Sequence, residues 1–376
     1  MKIGRHLHIT HLAALLAFAL YFSGARISAT QATPNDSPWE EGIGTFTLLG
    51  TVEGSSIDEI ARILALAIER TDDTSMGMAA DWRLAGYPGY GPVMHSVLKV
   101  PGGHRVLELT NEKYASMALG FGHDKSLGMP VKMAVVKEGG VIKIILLNPE
   151  AVFSLFFRDL PRASQVQMEQ LAQTVQNELE DLVDNAMTGF FGYWPQYLPL
   201  GHVMIPSEMA VFQKQSFSRQ FNFPVPKAHR QARETFREEV IASIIAHATH
   251  EEMPGVGSMV EGLSVADWRA ARSHPIKLVD GTTVIEMCSP TYAKAALKTG
   301  IWHAPALPCK IAVYFDKGLL TVAILDTDFM FPTFFGDTPA KMGAKLKGMS
   351  RAVSDDLSTI VQASYNSLYH LNHPRP

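Results

Sequence analysis

Residues 284–297 read VIEMCSPTYAKAAL, and residues 106–119 read VLELTNEKYASMAL. The likeness extends without a gap when residues 107–161 are aligned with residues 285–339, where 17 of the 55 pairs are identical. A chain that matches itself over such a length contains one structural unit twice. The sequence therefore predicts two tandem copies of a single fold.

The elements of the unit follow from hydrophobic periodicity. In the first copy, apolar residues at 57–68 recur at helical spacing, and Ser55 or Ser56 is available to cap the first turn. Apolar segments that flank glycine-containing turns at 101–103 and 138–140 predict two β-hairpins. With a leading strand, a short helix and a long closing helix, each copy is predicted as β-α-β-β-α-β-β-α. This is an α+β fold, in which helices cover a mostly antiparallel sheet.

The predicted organisation has four parts. They are a signal peptide at 1–29, a first domain at 45–187, a linker at 188–230 and a second domain at 231–370. The linker is rich in proline and aromatic residues. Three interpretations of it stay open: packing across the seam between the copies, a wall of a ligand pocket, or a patch that touches a membrane.

The first 29 residues have the layout of a secretory signal. Lys2 and Arg5 precede an apolar run of about 14 residues, and small residues follow it. The run is shorter than the roughly 20 residues that a membrane-spanning helix needs. We therefore predict a periplasmic or secreted protein, with membrane contact only if this segment stays uncleaved.

The charge balance excludes a nucleic-acid partner. The chain has 33 basic and 37 acidic side chains, a formal net charge of −4. Loss of residues 1–29 would remove three basic residues and no acidic one, which leaves no basic footprint for a phosphate backbone. Two cysteines are too few for a disulfide scaffold, so apolar burial must supply most of the stability.

The second copy carries a family resemblance. EMCSPTYAKAAL at 286–297, followed by LPCKIAVYFDKGLLTVAILD at 307–326, resembles the signature of the DUF302 family. The first copy is looser, because Thr110, Glu112 and Val131 replace both cysteines and the proline. The resemblance implies compact α+β domains that associate in pairs, so the two copies should form an internal pseudo-dimer. It implies no activity.

Cys288 and Cys309 occur together in the second copy and are absent together from the first, as expected of a contacting pair. If their strands are antiparallel neighbours, the sulfurs lie at the same end of the sheet and can bond. If the strands are parallel, the pair is too far apart. A structural disulfide, two buried free thiols, and a redox or metal site are the alternatives.

Aromatic residues follow the last strand of each copy. Core packing and an apolar cavity are both compatible with them. The leading hypothesis for function is binding of a small apolar or amphiphilic ligand, a porphyrin among the candidates, in aromatic-lined space. The candidate lining residues are Phe153, Phe156, Phe157, Phe331, Phe334, Phe335, Tyr114, Tyr292 and Trp194.

Met76, Met78 and His95 offer the thioether and imidazole ligands that soft copper prefers. Haem and copper are therefore the cofactors left open. The second hypothesis is thiol redox or metal handling at these residues or at the cysteines, and the third is a structural or interaction protein. The sequence contains no nucleophile elbow, phosphate loop or H-E-x-x-H motif, which favours a binding protein over an enzyme.

Charged residues shared by both copies have structural interpretations. Glu and Lys on adjacent strands, Glu108 with Lys132 and Glu286 with Lys310, predict ion pairs on a solvated face. Asp159 and Asp337 each stand two residues before a proline that can open a helix. They are therefore predicted to cap the long helices.

Overall fold

Each half of the chain builds one antiparallel sheet, which contains the predicted hairpins and further strands that the hydrophobic pattern does not predict. The computed structural model describes residues 42–70, 81–204, 217–248, 267–272, 274–307, 309–338 and 340–372. The predicted signal peptide lies outside the described residues, as do two of the predicted metal ligands, Met76 and Met78.

The first half runs from β1 to α4. Its elements are β1 (Ile43–Val52), α1 (Ile57–Ile68), β2 (Trp82–Leu84), β3 (Leu98–Val100), β4 (His104–Asn111), α2 (Glu112–Leu119), β5 (Val131–Glu138), β6 (Val141–Leu147), α3 (Pro149–Phe156) and α4 (Arg162–Met187). The strand β7 (Tyr193–Met204) follows it.

The second half runs from β8 to α8. Its elements are β8 (Ser218–Pro224), α5 (Arg233–Ala248), β9 (Arg269–Ala270), β10 (Ile276–Lys277), β11 (Thr283–Cys288), α6 (Pro290–Leu297), β12 (Cys309–Asp316), β13 (Leu319–Leu325), α7 (Thr327–Phe334) and α8 (Ala340–Asn372). None of the described helices combines the length and the apolar character needed to cross a bilayer.

The two sheets share one strand order. The first sheet has the order β2-β4-β5-β6-β1-β7, with β3 also paired to β4. The second has the order β10-β11-β12-β13-β8, with β9 also paired to β11. Under the repeat alignment, β4-β5-β6-β1 corresponds to β11-β12-β13-β8. Together with the helices, these antiparallel sheets confirm the predicted α+β class.

Turn chemistry sets the register of the central hairpins. Glu138 pairs with Val141, so the β5–β6 loop is only Gly139–Gly140, with φ of 59° and 91°. In the second half, Lys317 and Gly318 occupy the equivalent loop with φ of 47° and 82°. Positive φ at both loop residues is the mark of the type I′ turn, whose twist matches that of a two-stranded hairpin.

Side-chain hydrogen bonds cap the N-termini of α1, α2 and α6. Ser56 accepts a hydrogen bond from the backbone N–H of Glu59 at the start of α1, as predicted. Asn111 and Ser289, at equivalent places before α2 and α6, accept from the N–H groups of Tyr114 and Tyr292. The sharp change from strand to helix at 111–112 and 289–290 therefore has the same local cause in both copies.

The observed elements differ from the predicted ones in three respects. The first strand of the first hairpin is only Leu98–Val100, because Val93–Ser96 forms a 3-10 turn. A separate short helix, α3 or α7, lies between each sheet and its long helix. The range predicted as a linker also contains two strands, since β8 pairs along its whole length with β13.

The strand β7 lies in the same predicted linker. It pairs with β1 from Val52↔Tyr193 to Ile43↔Met204 and so extends the first sheet by one strand. It also contacts α7 of the second half. Most of its side chains are exposed, and Phe191 just before it is 94% exposed. The strand therefore does touch the second half, but aromatic residues such as Phe191, Trp194 and Tyr197 are exposed and not packed in the seam between the copies.

One buried contact recurs in both halves between the sheet and the long helix. In the first half, the Trp82 indole and the Tyr114 hydroxyl donate to the two carboxylate oxygens of Glu178, at 3.1 and 2.5 Å. In the second half, Trp268 and Tyr292 donate to Asp356 at 2.8 and 3.2 Å. The paired rings also pack on each other, with centroids 5.9 and 5.8 Å apart. This contact anchors α4 and α8 to their sheets.

We expect Tyr114→Phe to lower the free energy of unfolding by about 1.5–3 kcal/mol, because it removes a largely buried hydrogen bond to a carboxylate. Urea denaturation measures the loss. Tyr87→Phe is the matched control, since its hydroxyl donates to the carbonyl of Gly91 in an exposed position and the change should cost less than about 0.5 kcal/mol. Equal losses in the two variants would contradict the anchoring role.

Candidate functional site

The charged residues shared by the two copies meet between the halves. In the strand register, Glu108 on β4 lies opposite Lys132 on β5, and Glu286 on β11 lies opposite Lys310 on β12. All four side chains are buried, with at most 3% exposure. The predicted solvated face is wrong, because the face of each sheet that carries these residues is covered by the other half.

Arg272, just after β9, joins the two glutamates. Its Nη2 lies 2.7 Å from Oε2 of Glu108 in the first half, and its Nε lies 2.5 Å from Oε2 of Glu286 in the second. Its Nη1 donates to the carbonyl of Ser96 at 2.7 Å. One guanidinium therefore holds three acceptors, two of them in the opposite half.

Lys132 and Lys310 have different partners. The Nζ of Lys132 lies 3.2 Å from Oε1 of Glu108. The Nζ of Lys310 instead donates across the interface to the carbonyl of Pro130, at 2.9 Å. We call the five side chains Glu108, Lys132, Arg272, Glu286 and Lys310 the interface cluster.

A glycine makes room for the arginine. The aligned segments ADWRLAG at 80–86 and ADWRAAR at 266–272 place Gly86 where the second copy has Arg272. Gly86 has a φ of +72°, and a Cβ built on it would lie 3.5 Å from Cδ of Arg272. Equivalent positions face each other across the interface, so a second long side chain at 86 would compete for the same space. Sequence comparison missed Arg272, because the copies differ at this position.

Burial and neighbouring charges shift the pKa values of Glu108 and Glu286 in opposite directions. Burial, reinforced by Glu108, raises the pKa of Glu286 to about 8. Burial would also raise the pKa of Glu108, but Lys132, the hydrogen bond to Glu286, and Arg272 outweigh it and hold that pKa far below its ordinary value. The direct Lys132 contact explains the difference. At neutral pH Glu286 therefore holds a proton, and Glu108 is a carboxylate.

Lys310 has the opposite perturbation. Burial, followed by repulsion from Lys132, lowers the pKa of its amine to about 7. The interface cluster thus contains two groups, one acid and one base, that titrate near neutral pH.

The predicted aromatic ligand site is filled by protein. The phenylalanine rings that follow the last strand of each copy line two cavities of only about 40 and 30 Å³. Pockets that hold small organic ligands are typically about 300 Å³ or larger. The phenylalanine side chains at 153, 156, 157, 331, 334 and 335 are all buried. Trp194 is 59% exposed on β7.

Asp159 and Asp337 each accept hydrogen bonds from a buried side chain of the same half. Asp159 accepts two bonds from the buried Nζ of Lys125, at 2.7 and 3.0 Å. Asp337 accepts from His303 at 2.9 Å and from Trp302 at 2.8 Å. The helix α4 starts after Pro161 without a side-chain cap, so the predicted capping role of Asp159 is wrong. A buried amine or imidazole needs a charged partner more than an exposed helix end needs a cap.

The cysteine strands β11 and β12 are antiparallel neighbours, but the register pairs Cys309 with Met287, one residue short of Cys288. Both thiols are free. Burial raises the pKa of Cys288 to about 11 and that of Cys309 to about 12. Both therefore stay protonated at neutral pH, which makes them poor nucleophiles and poor metal ligands.

The third predicted metal ligand, His95, is exposed. Across the described ranges, no group of three or more histidine, cysteine or acidic residues is arranged to hold a metal ion.

A much larger space lies elsewhere, in an open groove of about 1190 Å³ between the halves. The first half contributes α1, residues within 94–101 and Arg105, and the second contributes residues 269–271, Cys288 and the start of α6. Apolar side chains line much of it, Met94, Leu98 and Pro290 among them.

The groove is basic although the chain is acidic overall. Its charged lining residues are Arg62, Lys99, Arg105, Arg269 and Lys294, with His95, against Asp58 and Glu59. Asp58 already pairs with Arg105 at 2.6 Å. Within the described part of the chain, Arg62, Lys99 and Lys294 have no ion-pair partner. Sequence reasoning missed this site, because its cations are scattered over both copies and only docking of the halves brings them together.

The substitutions Glu286→Gln and Glu108→Gln should have opposite effects on stability. The folded pKa of Glu286, about 8, exceeds the ordinary 4.5, so between these values the folded state keeps a proton that the unfolded state loses. Wild-type stability should therefore fall with rising pH by up to about 1.4 kcal/mol per pH unit from this group. Glu286→Gln, which mimics the protonated acid, should remove that fall.

Glu108→Gln should instead destabilise the protein by about 3–5 kcal/mol at pH 7, because it leaves Lys132 and Arg272 without their buried anion. Urea denaturation at pH 7 compares the two variants, and the pH dependence is followed between pH 5 and pH 6, below the pKa of about 7 near which Lys310 adds the opposite trend. Equal losses in the two variants at pH 7 would overturn the assignment of the proton to Glu286.

Comparisons with known proteins are consistent with the resemblance of the second half. Among curated proteins, no sequence match to this chain was found. A solved structure described as "Crystal structure of uncharacterized conserved protein DUF302 from Bacillus stearothermophilus" is 12% identical, with a TM-score of 0.26, and the similarity covers 39% of this chain and 98% of that one. The family relation of the first half stays a prediction. Residues 267–363 match the family described as "Domain of unknown function DUF302".

Proposed function

We propose that this protein binds a small amphiphilic anion in the groove between its halves. The observation that carries the proposal is the basic lining of this groove in a chain whose formal net charge is −4. Five lysine and arginine side chains face two carboxylates there, and one of the carboxylates is neutralised by Arg105. Such a concentration of one charge attracts ligands of the opposite sign.

The apolar lining supports an amphiphile over a simple inorganic anion. Met94 and Leu98 lie on one side of the groove, and Ala270 and Pro290 on the other. A ligand with a hydrocarbon portion would remove this surface from water, at roughly 25 cal/mol per Å² buried. The volume of about 1190 Å³ exceeds that of a typical small-molecule pocket, so an acyl or steroid-sized ligand fits the space.

This proposal keeps the ligand class expected from the sequence and moves the site. The aromatic corners enclose too little volume for a porphyrin, and the protonated thiols do not favour redox or copper chemistry. We propose binding without a chemical step. Export, inferred from the N-terminal layout, would place this binding outside the cytoplasm.

Isothermal titration with octyl sulfate tests the proposal, with octyl glucoside as the uncharged probe that has the same tail. We expect octyl sulfate to bind more tightly, with an affinity that falls as salt is added, because the cations of the groove contact its headgroup. A double variant, Lys99→Glu with Arg269→Glu, should weaken octyl sulfate binding by at least about tenfold.

Lys317→Glu is the matched control, since this lysine lies on the β12–β13 turn, away from the groove, and is 89% exposed. It should leave the affinity unchanged. Equal binding of the two probes, or equal weakening by the control and the groove variant, would refute the proposed site.

A further inference from the structure

We infer that entry of an anion into the groove is coupled to uptake of a proton by the interface cluster beneath it. The inference rests on the proposed function and concerns the regulation of the same site. It makes ligand affinity depend on pH through groups that the ligand does not touch.

Arg272 provides the structural link. Residues 269–271 line the groove and lead directly to Arg272, which holds both glutamates of the cluster. The same guanidinium binds the carbonyl of Ser96, next to His95 in the opposite wall of the groove. The backbone N–H of Ala271 also donates to the carbonyl of Glu286, at 2.8 Å. These contacts therefore connect both walls of the groove to Glu108 and Glu286.

An electrostatic link runs in parallel. Cys288 lines the groove two residues after Glu286, and its thiol lies within the field of both Glu286 and Lys132. Because little water separates buried charges, their effects on each other are screened less than those of surface charges. A negative headgroup in the groove is thus felt by the cluster.

The charged and titratable groups around Glu286 come from every neighbouring strand. They are Glu108 on β4, Lys132 on β5, Arg272 after β9, Cys288 at the end of β11, and Lys310 and Cys309 on β12. The groove adds His95, Asp58 and Glu59. Of the cluster members, Glu286 and Lys310 are the two that exchange protons near neutral pH.

A bound anion favours the protonated form of both groups. It disfavours the negative carboxylate of Glu286, which then takes a proton to become the neutral acid, and it favours the ammonium of Lys310 over its neutral amine. The protons come from the buffer. By linkage, the ligand must then bind more tightly at pH 6 than at pH 8, where the free protein holds fewer of these protons.

Titration calorimetry measures the coupling. Octyl sulfate is the probe, because its sulfate does not titrate, and the binding enthalpy is compared at pH 8 in two buffers of different ionisation enthalpy. We expect the wild type to take up about half a proton per ligand. Glu286→Gln and Lys310→Met should each bind octyl sulfate with a reduced uptake, and the double variant should show none.

Three outcomes separate the ideas. Failure of the wild type to bind octyl sulfate would overturn the proposed function. Binding without proton uptake would overturn this inference alone. Uptake that persists in the folded double variant but disappears in His95→Asn would also overturn it, because the proton would then belong to the groove and not to the cluster. Thermal unfolding shows that each variant is folded before titration.

Discussion

The contact between Arg272 and two glutamates from different halves is the interaction on which the arrangement of this molecule depends. Each sheet presents a buried carboxyl at the interface, and burial of an unpaired charge costs several kcal/mol. The guanidinium of Arg272 contacts both carboxyls, Lys132 adds a second cation beside Glu108, and a proton neutralises Glu286. The buried carboxylate of the first half therefore has an arginine of the second half among its partners.

Duplication within one chain explains why this solution is asymmetric. Two identical subunits would place the same residue at both equivalent positions, and two arginines would meet where space exists for one. In this chain, Gly86 and Arg272 divide the task. A second position has diverged in the same way. The first half has Lys125 where the second half has His303, and each side chain binds the equivalent aspartate. Covalent connection keeps the halves together while each sequence diverges.

Local features could be predicted from the sequence, whereas features of the interface could not. Apolar segments that flank glycine-containing turns predicted the central hairpins, since strand formation and type I′ turns are properties of neighbouring residues. Glu108 and Lys132 alternate with apolar residues in the same way as an exposed ion pair, so the pattern gave no sign of their burial. The cations of the groove lie more than 200 residues apart in the case of Arg62 and Arg269, and no motif joins them.

The edge of the first sheet has a consequence for solubility. An exposed strand with aromatic side chains invites a second chain to continue the sheet, which is a common route to aggregation. The strand β7 contains Pro195 and Pro199, which lack the N–H groups that such growth requires, and its register shifts around Tyr197, where φ is 52°. The two prolines and the shifted register therefore make this edge of the sheet a poor template for a further strand.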